Sequence, residues 1–274
     1  MQNIKEAPIG VFDSGVGGLT VAREIMRQIP QERIVYFGDT ARVPYGSKST
    51  DTLIRYTRQI IRFLKTRGVK AIVVACNTAS AVALEAIRDE LDIPVIGVVR
   101  PGARVAAQAT KNKKIGIIGT EATVNSGMYV KLIQEFLPEA EVIGKACPLF
   151  VPLVEEGWTK DPVTEMVARR YLADLQKSDI DSLILGCTHY PLLRHMVGEI
   201  MGDSVTLVNP AYETALELKA LLEKEGMEND GDNKNFENPY EFFVSDAADK
   251  FKVFANSILP CDVTSIKQIN IEEY

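Results

Sequence analysis

The chain has 274 residues, enough for one large or two modest cores. Its formal net charge is −6 and it has no Lys/Arg-rich tract, which argues against nucleic acid as the main ligand. Mean hydropathy is near zero and no apolar run approaches the roughly 18–20 residues of a membrane span. The first residues, MQNIKEAPIGVFDSG, lack a basic-then-apolar leader pattern, so a cytoplasmic protein with no membrane partner is expected.

Strand-like runs fall at 8–12, 33–38, 70–75, 94–99, 114–119, 140–145, 181–186 and 204–208. Helical patterns lie between and after them, at about 18–29, 50–67, 78–91, 101–111, 125–137, 161–177, 190–201 and 211–225. This alternation predicts an α/β fold with mostly parallel, doubly wound sheets. Segment 226–239 (GMENDGDNKNFENP) reads as a loop, YEFFVS (240–245) as a further strand and 247–257 as a short helix. PIGVFDSG and KIGIIGTE share a strand–turn pattern, with Ile9 and Ile115 separated by 106 residues. Cys76 and Cys187 are separated by 111, so the halves are expected to share one topology. The expected division is 1–98 plus 209–274 for a first domain and 99–208 for a second, with the active site in the cleft between them.

The chemistry is concentrated where strands run into helices, the edge at which open α/β sheets place ligands. VVACNTAS (73–80) and LILGCTHYP (183–191) are apolar runs that end in Cys76 and Cys187, followed by Asn77, Thr78 and by Thr188, His189. A cysteine at a helix N-terminus has its thiolate stabilised by the dipole and backbone donors. That help matters because an unperturbed thiol is only about 3% ionised at pH 7. Two such thiols facing one pocket suit the removal and return of a proton at one carbon. His189 is placed to orient a thiol or carry its proton. A cysteine–histidine hydrolase is another reading, but it leaves Cys76 without a purpose. Cys147 and Cys261 read as buried and inert, and His195 as structural or exposed.

FDSGVGGLT (12–20) puts Asp13 and Ser14 at the end of the first strand. Its glycines allow a tight turn whose N–H groups bind a carboxylate or phosphate. As a dinucleotide fingerprint it is incomplete, because Thr20 occupies the third glycine position. GDTARVPYGSKS (38–49) supplies Tyr45, Gly46 and Ser47 at the same edge, and GTEATVNS (119–126) supplies Thr120 and Thr123. LVEEGW (153–158) carries Glu155 and Glu156, an acidic pair more typical of a solvated helix end. No Lys or Arg lies in FDSGVGGLT, VVACNTAS or GCTHYP, although Arg42 is near. Carboxylates of a ligand would then be held by hydroxyls and backbone N–H groups, and an ionised Asp13 would suit an ammonium. An amino acid meets both conditions. Four cysteines without CxxC spacing and only two histidines indicate neither a disulfide framework nor a metal site.

With these residues in place, the chain resembles the glutamate racemases within the aspartate/glutamate racemase superfamily. FDSGVGGLT, PYGSKS, ACNTAS and GCTHYP match in order and spacing, over essentially the whole chain. The resemblance implies interconversion of L- and D-glutamate without cofactor or metal, to supply cell-wall peptidoglycan synthesis. It also implies two pseudo-symmetric domains and a homodimer. Cys76 and Cys187 match the two acid/base thiols, with Cys76 acting on the D-enantiomer and Cys187 on the L-enantiomer. Asp13, Glu155 and His189 match the groups said to assist them. Asp13, Ser14, Tyr45, Gly46, Asn77, Thr78, Thr120, Thr123, Thr188 and His189 match substrate-binding positions. Forms regulated by a cell-wall precursor often carry an N-terminal extension, of which this sequence shows almost none. The rival readings are a racemase of another amino acid, such as aspartate, and a non-catalytic amino-acid binder. Two thiols at matched strand ends favour an enzyme, since a binder gains nothing from them.

Overall fold

The computed structural model describes residues 4–231 and 236–274. The apolar runs at the centre of each sheet form strands covered on both faces, as parallel sheets require, while the edge strand at 141–146 is only half-covered. Strands β1 (Ile9–Asp13), β2 (Ile34–Gly38) and β3 (Ala71–Val74) are buried along their whole length. With β4 (Val95–Gly97) they give the order β2-β1-β3-β4, parallel throughout. Strands β5 (Lys114–Gly119), β6 (Glu141–Ala146), β7 (Ser182–Gly186) and β8 (Thr206–Val208) repeat it as β6-β5-β7-β8 in a second parallel sheet. The internal repeat read from the sequence is therefore a repeat of strand order. In this order the winding reverses at β1/β3 and β5/β7, so each sheet has a crevice at the carboxyl end of those strands.

The later strands β9 (Tyr240–Val244) and β10 (Lys267–Gln268) extend the first sheet, β9 pairing with β2 from Ile34↔Tyr240 to Gly38↔Val244. Helix α1 (Leu19–Gln28) and helix α11 (Pro210–Glu225) share one core on this sheet, through Ile25, Ala215, Leu218 and Leu222. Helix α2 (Thr50–Thr66) covers the opposite face with Leu53, Ile60 and Leu64. Around the second sheet, α9 (Pro162–Gln176) and α10 (Arg194–Met201) close one face, and α5 (Val99–Ala109) with α7 (Met128–Phe136) the other.

Several predicted helices are shorter or broken. The one expected at 78–91 is α3 (Asn77–Val82), α4 (Leu84–Ile87) and a 3-10 turn, Arg88–Glu90. It loosens at Ala83 (φ −106°), where Ser80 and Leu84 lie on Gly97 so closely that an added Cβ there would be 2.2 and 2.5 Å from them. The one expected at 125–137 is α7, begun by Gly127, whose φ of +66° suits glycine, and the short helix α6 (Glu121–Asn125) before it was not predicted. The one expected at 190–201 begins as a 3-10 turn, Tyr190–Leu193, since Pro191 lacks an N–H to donate. Helix α8 (Phe150–Glu155) and strand β10 were not predicted. The helix expected at 247–257 is α12 (Ala248–Ile258), and part of the expected 226–239 loop, 232–235, lies outside the described residues. Among the described residues no helix is long and apolar enough to cross a membrane.

Candidate active site

Cys76 leaves β3 and caps α3, its Sγ accepting from the Ala79 N–H at 3.5 Å. The parallel pairing of β1 with β3 brings Ser14 beside it, and the Cys76 thiol donates to Ser14 Oγ at 3.7 Å. Cys187 leaves β7, the equivalent strand of the second sheet, with Sγ 3.8 Å from His189 Nδ1. The other ring nitrogen, Nε2, lies 2.9 Å from Glu155 Oε1 at the end of α8. Both thiols, Ser14, Thr188, His189 and Glu155 line one cavity of about 450 Å³ between the carboxyl edges of the two sheets. A hollow of similar size beside Arg33 and Lys267 contains no thiol or histidine.

The electrostatics differ between the two thiols. Burial pushes the Cys76 thiol up to about 12, and the Asp13 charge acts the same way, while the Ala79 N–H and Ser14 oppose it. The expected help from the helix N-terminus is present but outweighed by desolvation. At His189, burial disfavours the charged ring, but Cys187, Glu155 and Asp13 together lift it to about 10.

Asp13 is fully buried and lies behind the cavity wall, accepting from Gly15 N–H at 3.0 Å and from Thr188 Oγ1 at 3.4 Å. Burial raises its pKa, against the pull of His189 and the neighbouring donors. It therefore reaches the cavity through Thr188 and His189 rather than by direct exposure. Tyr45 and Gly46 form part of the wall, but the Tyr45 hydroxyl donates to Asp39, which Arg42 also holds at 2.6 Å. Arg42 thus faces away from the cavity, and no Lys or Arg is among its lining residues. Thr78, Thr120 and Thr123 form a hydroxyl triangle with sides of 2.9, 3.2 and 2.9 Å across the two halves. Thr78 and Thr120 line the cavity and Thr123 sits behind them. Asn77 lines it too, its Oδ1 accepting from Tyr129 at 2.7 Å.

The glycine loop reaches the cavity through Ser14 and Gly15, and its next glycine packs against the second sheet. An added Cβ at Gly17 would lie 2.3 Å from Thr188 Oγ1 and 2.5 Å from His189 Nδ1. The glycine is a seat for the second sheet's GCTHYP turn. Cys147 is buried as expected, with Sγ directed to the Lys145 carbonyl. Cys261 is only half-buried, at the surface end of the first core. His195 is almost fully exposed beside Glu199. Not foreseen from the sequence is the apolar wall of Pro148, Val151 and Pro152, together with Val43. The signal available was the repeat, since the segment after β6 is the counterpart of PYGSKS after β2.

The two sheets, matched in strand order, each deliver a cysteine into one shared cavity. The profile of the Asp/Glu/hydantoin racemases matches residues 9–217, and the chain belongs to that family. Its full-length similarity is to the glutamate racemases. The enzyme from Geobacter metallireducens is 49% identical over 265 residues, covering 96% of this chain and 97% of that one. The crystal structure of a glutamate racemase isoform from Bacillus anthracis has a TM-score of 0.91 and 42% identity, covering 97% of this chain and 98% of its own. That of the Francisella tularensis enzyme in complex with D-glutamate also has a TM-score of 0.91, at 36% identity, covering 98% and 100%.

Proposed function

We propose that the chain interconverts L- and D-glutamate by moving a proton on and off Cα between two cysteines. The observation that carries this reading is the pair of thiols at equivalent strand ends, opening on one cavity with no lysine or arginine in its wall. Glutamate enters with Cα between the sulfurs. One cysteine, as thiolate, removes the Cα proton, and the other, as thiol, delivers its own proton to the opposite face. After one turnover the sulfurs have exchanged states, ready for the reverse direction. Cys76 serves the D-enantiomer and Cys187 the L-enantiomer.

The carbanion is stabilised by fixed donors rather than by a cation. The α3 N-terminus, the Asn77 amide and the hydroxyls of Ser14, Thr78, Thr120 and Thr188 supply them, with Thr123 supporting Thr78 and Thr120. Tyr45 and Gly46 wall the site. The substrate ammonium brings the positive charge that Cys76 lacks in the empty cavity, and so makes its thiolate accessible. Asp13 acts on Cys76 through its charge and on the Cys187 side through Thr188 and His189. Glu155 keeps the His189 ring charged so that it can return a proton to Cys187. We place the division between the two domains at 98/99 and 208/209, the cleft between them being the substrate site. The enzyme is a cytoplasmic homodimer, which light scattering would read as twice the 30.3 kDa chain mass. Its D-glutamate supplies peptidoglycan synthesis.

Incubating pure D-glutamate with the enzyme and following optical rotation tests the reading. Rotation should decay to zero, and should do so in EDTA and in the presence of a pyridoxal-phosphate scavenger. Turnover of aspartate but not glutamate would assign a different substrate, and binding without turnover would leave a binder.

A further inference from the structure

Tyr129 lies outside every motif the sequence singled out, yet it touches both cysteine-bearing strand ends. It is the second residue of α7 and is 2% exposed, in the core shared by Val99, Ala103 and Ile117. Its hydroxyl donates to Asn77 Oδ1 at 2.7 Å, and Asn77 is the residue immediately after Cys76. Its ring lies on the backbone at Gly186, immediately before Cys187, where an added Cβ would come within 3.4 Å of Tyr129 Cε2. One side chain therefore spans the two sheets at the level of the thiols.

The hydrogen-bond chemistry is directional. A primary amide has one acceptor and two donors. Burial holds the Tyr129 pKa above its ordinary value, with Cys187 adding to the rise, so the hydroxyl keeps its proton and can donate. With Oδ1 accepting from Tyr129, the nitrogen is the group Asn77 has left to donate; Asn77 lines the cavity, and that nitrogen has no hydrogen bond among the described residues. The opposite amide orientation would place an oxygen lone pair toward an incoming carboxylate and repel it.

We propose that Tyr129 is a positioning residue for racemisation, fixing the Asn77 amide with its nitrogen toward the substrate and seating the strand end that carries Cys187. The proposal rests on the two-thiol glutamate reading above. Gly127, with its left-handed φ of +66°, starts α7 at the point that brings Tyr129 into this position.

The test compares wild type, Tyr129→Phe, Asn77→Ala and the double variant with each pure enantiomer of glutamate. Wild-type turnover comes first, and its absence would reject the glutamate reading without touching Tyr129. Given turnover, Tyr129→Phe keeps the ring and should lower kcat/KM roughly 10- to 100-fold, mainly through KM, in both directions. Melting temperature should stay within a few degrees. In the Asn77→Ala background the Phe substitution should cause no further loss, because the amide it aims is gone. Unchanged kcat/KM in Tyr129→Phe, or additive losses in the double variant, would overturn the proposal. So would failure of Tyr129→Phe to fold, since the hydroxyl would then be holding the fold rather than aiming the amide.

Discussion

The two sulfurs are not equivalent in the empty enzyme, and that asymmetry comes from their neighbours. Cys76 faces a buried carboxylate and its thiol is pushed up to about 12, while Cys187 sits beside a ring lifted to about 10. Iodoacetamide at neutral pH should therefore modify Cys187 well before Cys76, with glutamate protecting both; peptide mapping that finds Cys76 modified first would contradict this. The His189 ring also has a stability signature. Its folded pKa is raised from 6.5 to about 10, so its contribution is fully present below pH 6.5 and is lost as the pH rises through about 10. The melting-temperature advantage of wild type over His189→Asn should shrink across that window, and Glu155→Gln should lower its upper edge while the lower edge, set by the unfolded chain, stays in place. A difference that stayed flat from pH 6 to 10 would mean the ring is neutral in the fold. Cys76, Cys187, Ser14, Thr188 and His189 were legible from sequence because each lies within three residues of a strand end, where local pattern fixes position. The seclusion of Asp13 was not, since it depends on Thr188 and His189 arriving from 175 residues away.

Among the elements, the strands and the long helices were readable because their burial imposes a period or a continuous apolar run. Helix α8 was not, being six residues with Pro152 in its first turn, too short for periodicity to register. That omission made Glu155 look like a solvated helix end, and its side chain is indeed 43% exposed while still bonded to His189. The break in the helix expected at 78–91 was hidden for a related reason: Gly97 acts on it through tertiary contact rather than through apolar pattern. The α1 turn offers the sharpest element-scale test. Gly17→Ala puts a methyl into the Thr188–His189 turn at 2.3–2.5 Å, so one of the two sheet edges must shift. Overpacking of this kind costs about 1–3 kcal/mol. Chemical denaturation should show that loss, and racemisation should fall further than stability does. Wild-type activity in Gly17→Ala would show that the contact is soft.

At the scale of the whole molecule, the two sheets meet through a small set of polar bridges around the cavity. Thr20 Oγ1 donates to the Thr188 carbonyl at 2.9 Å, Thr78 bonds Thr120 and Thr123, and Asn77 bonds Tyr129. Each bridge involves, or lies next to, a residue assigned to the substrate, so bound glutamate should tighten the halves together and raise the melting temperature with its concentration. The central claim is that the proton leaves Cα to one sulfur while a different proton arrives from the other. Its most direct test is racemisation of one pure enantiomer in D₂O, with deuterium at Cα measured separately in early product and in unreacted substrate. The two-thiol account predicts deuterium in the product, protium in the residual substrate, and optical rotation that overshoots zero before settling because deuterated product returns more slowly. Substantial retention of the original proton in early product would contradict it, whatever the effect of replacing either cysteine.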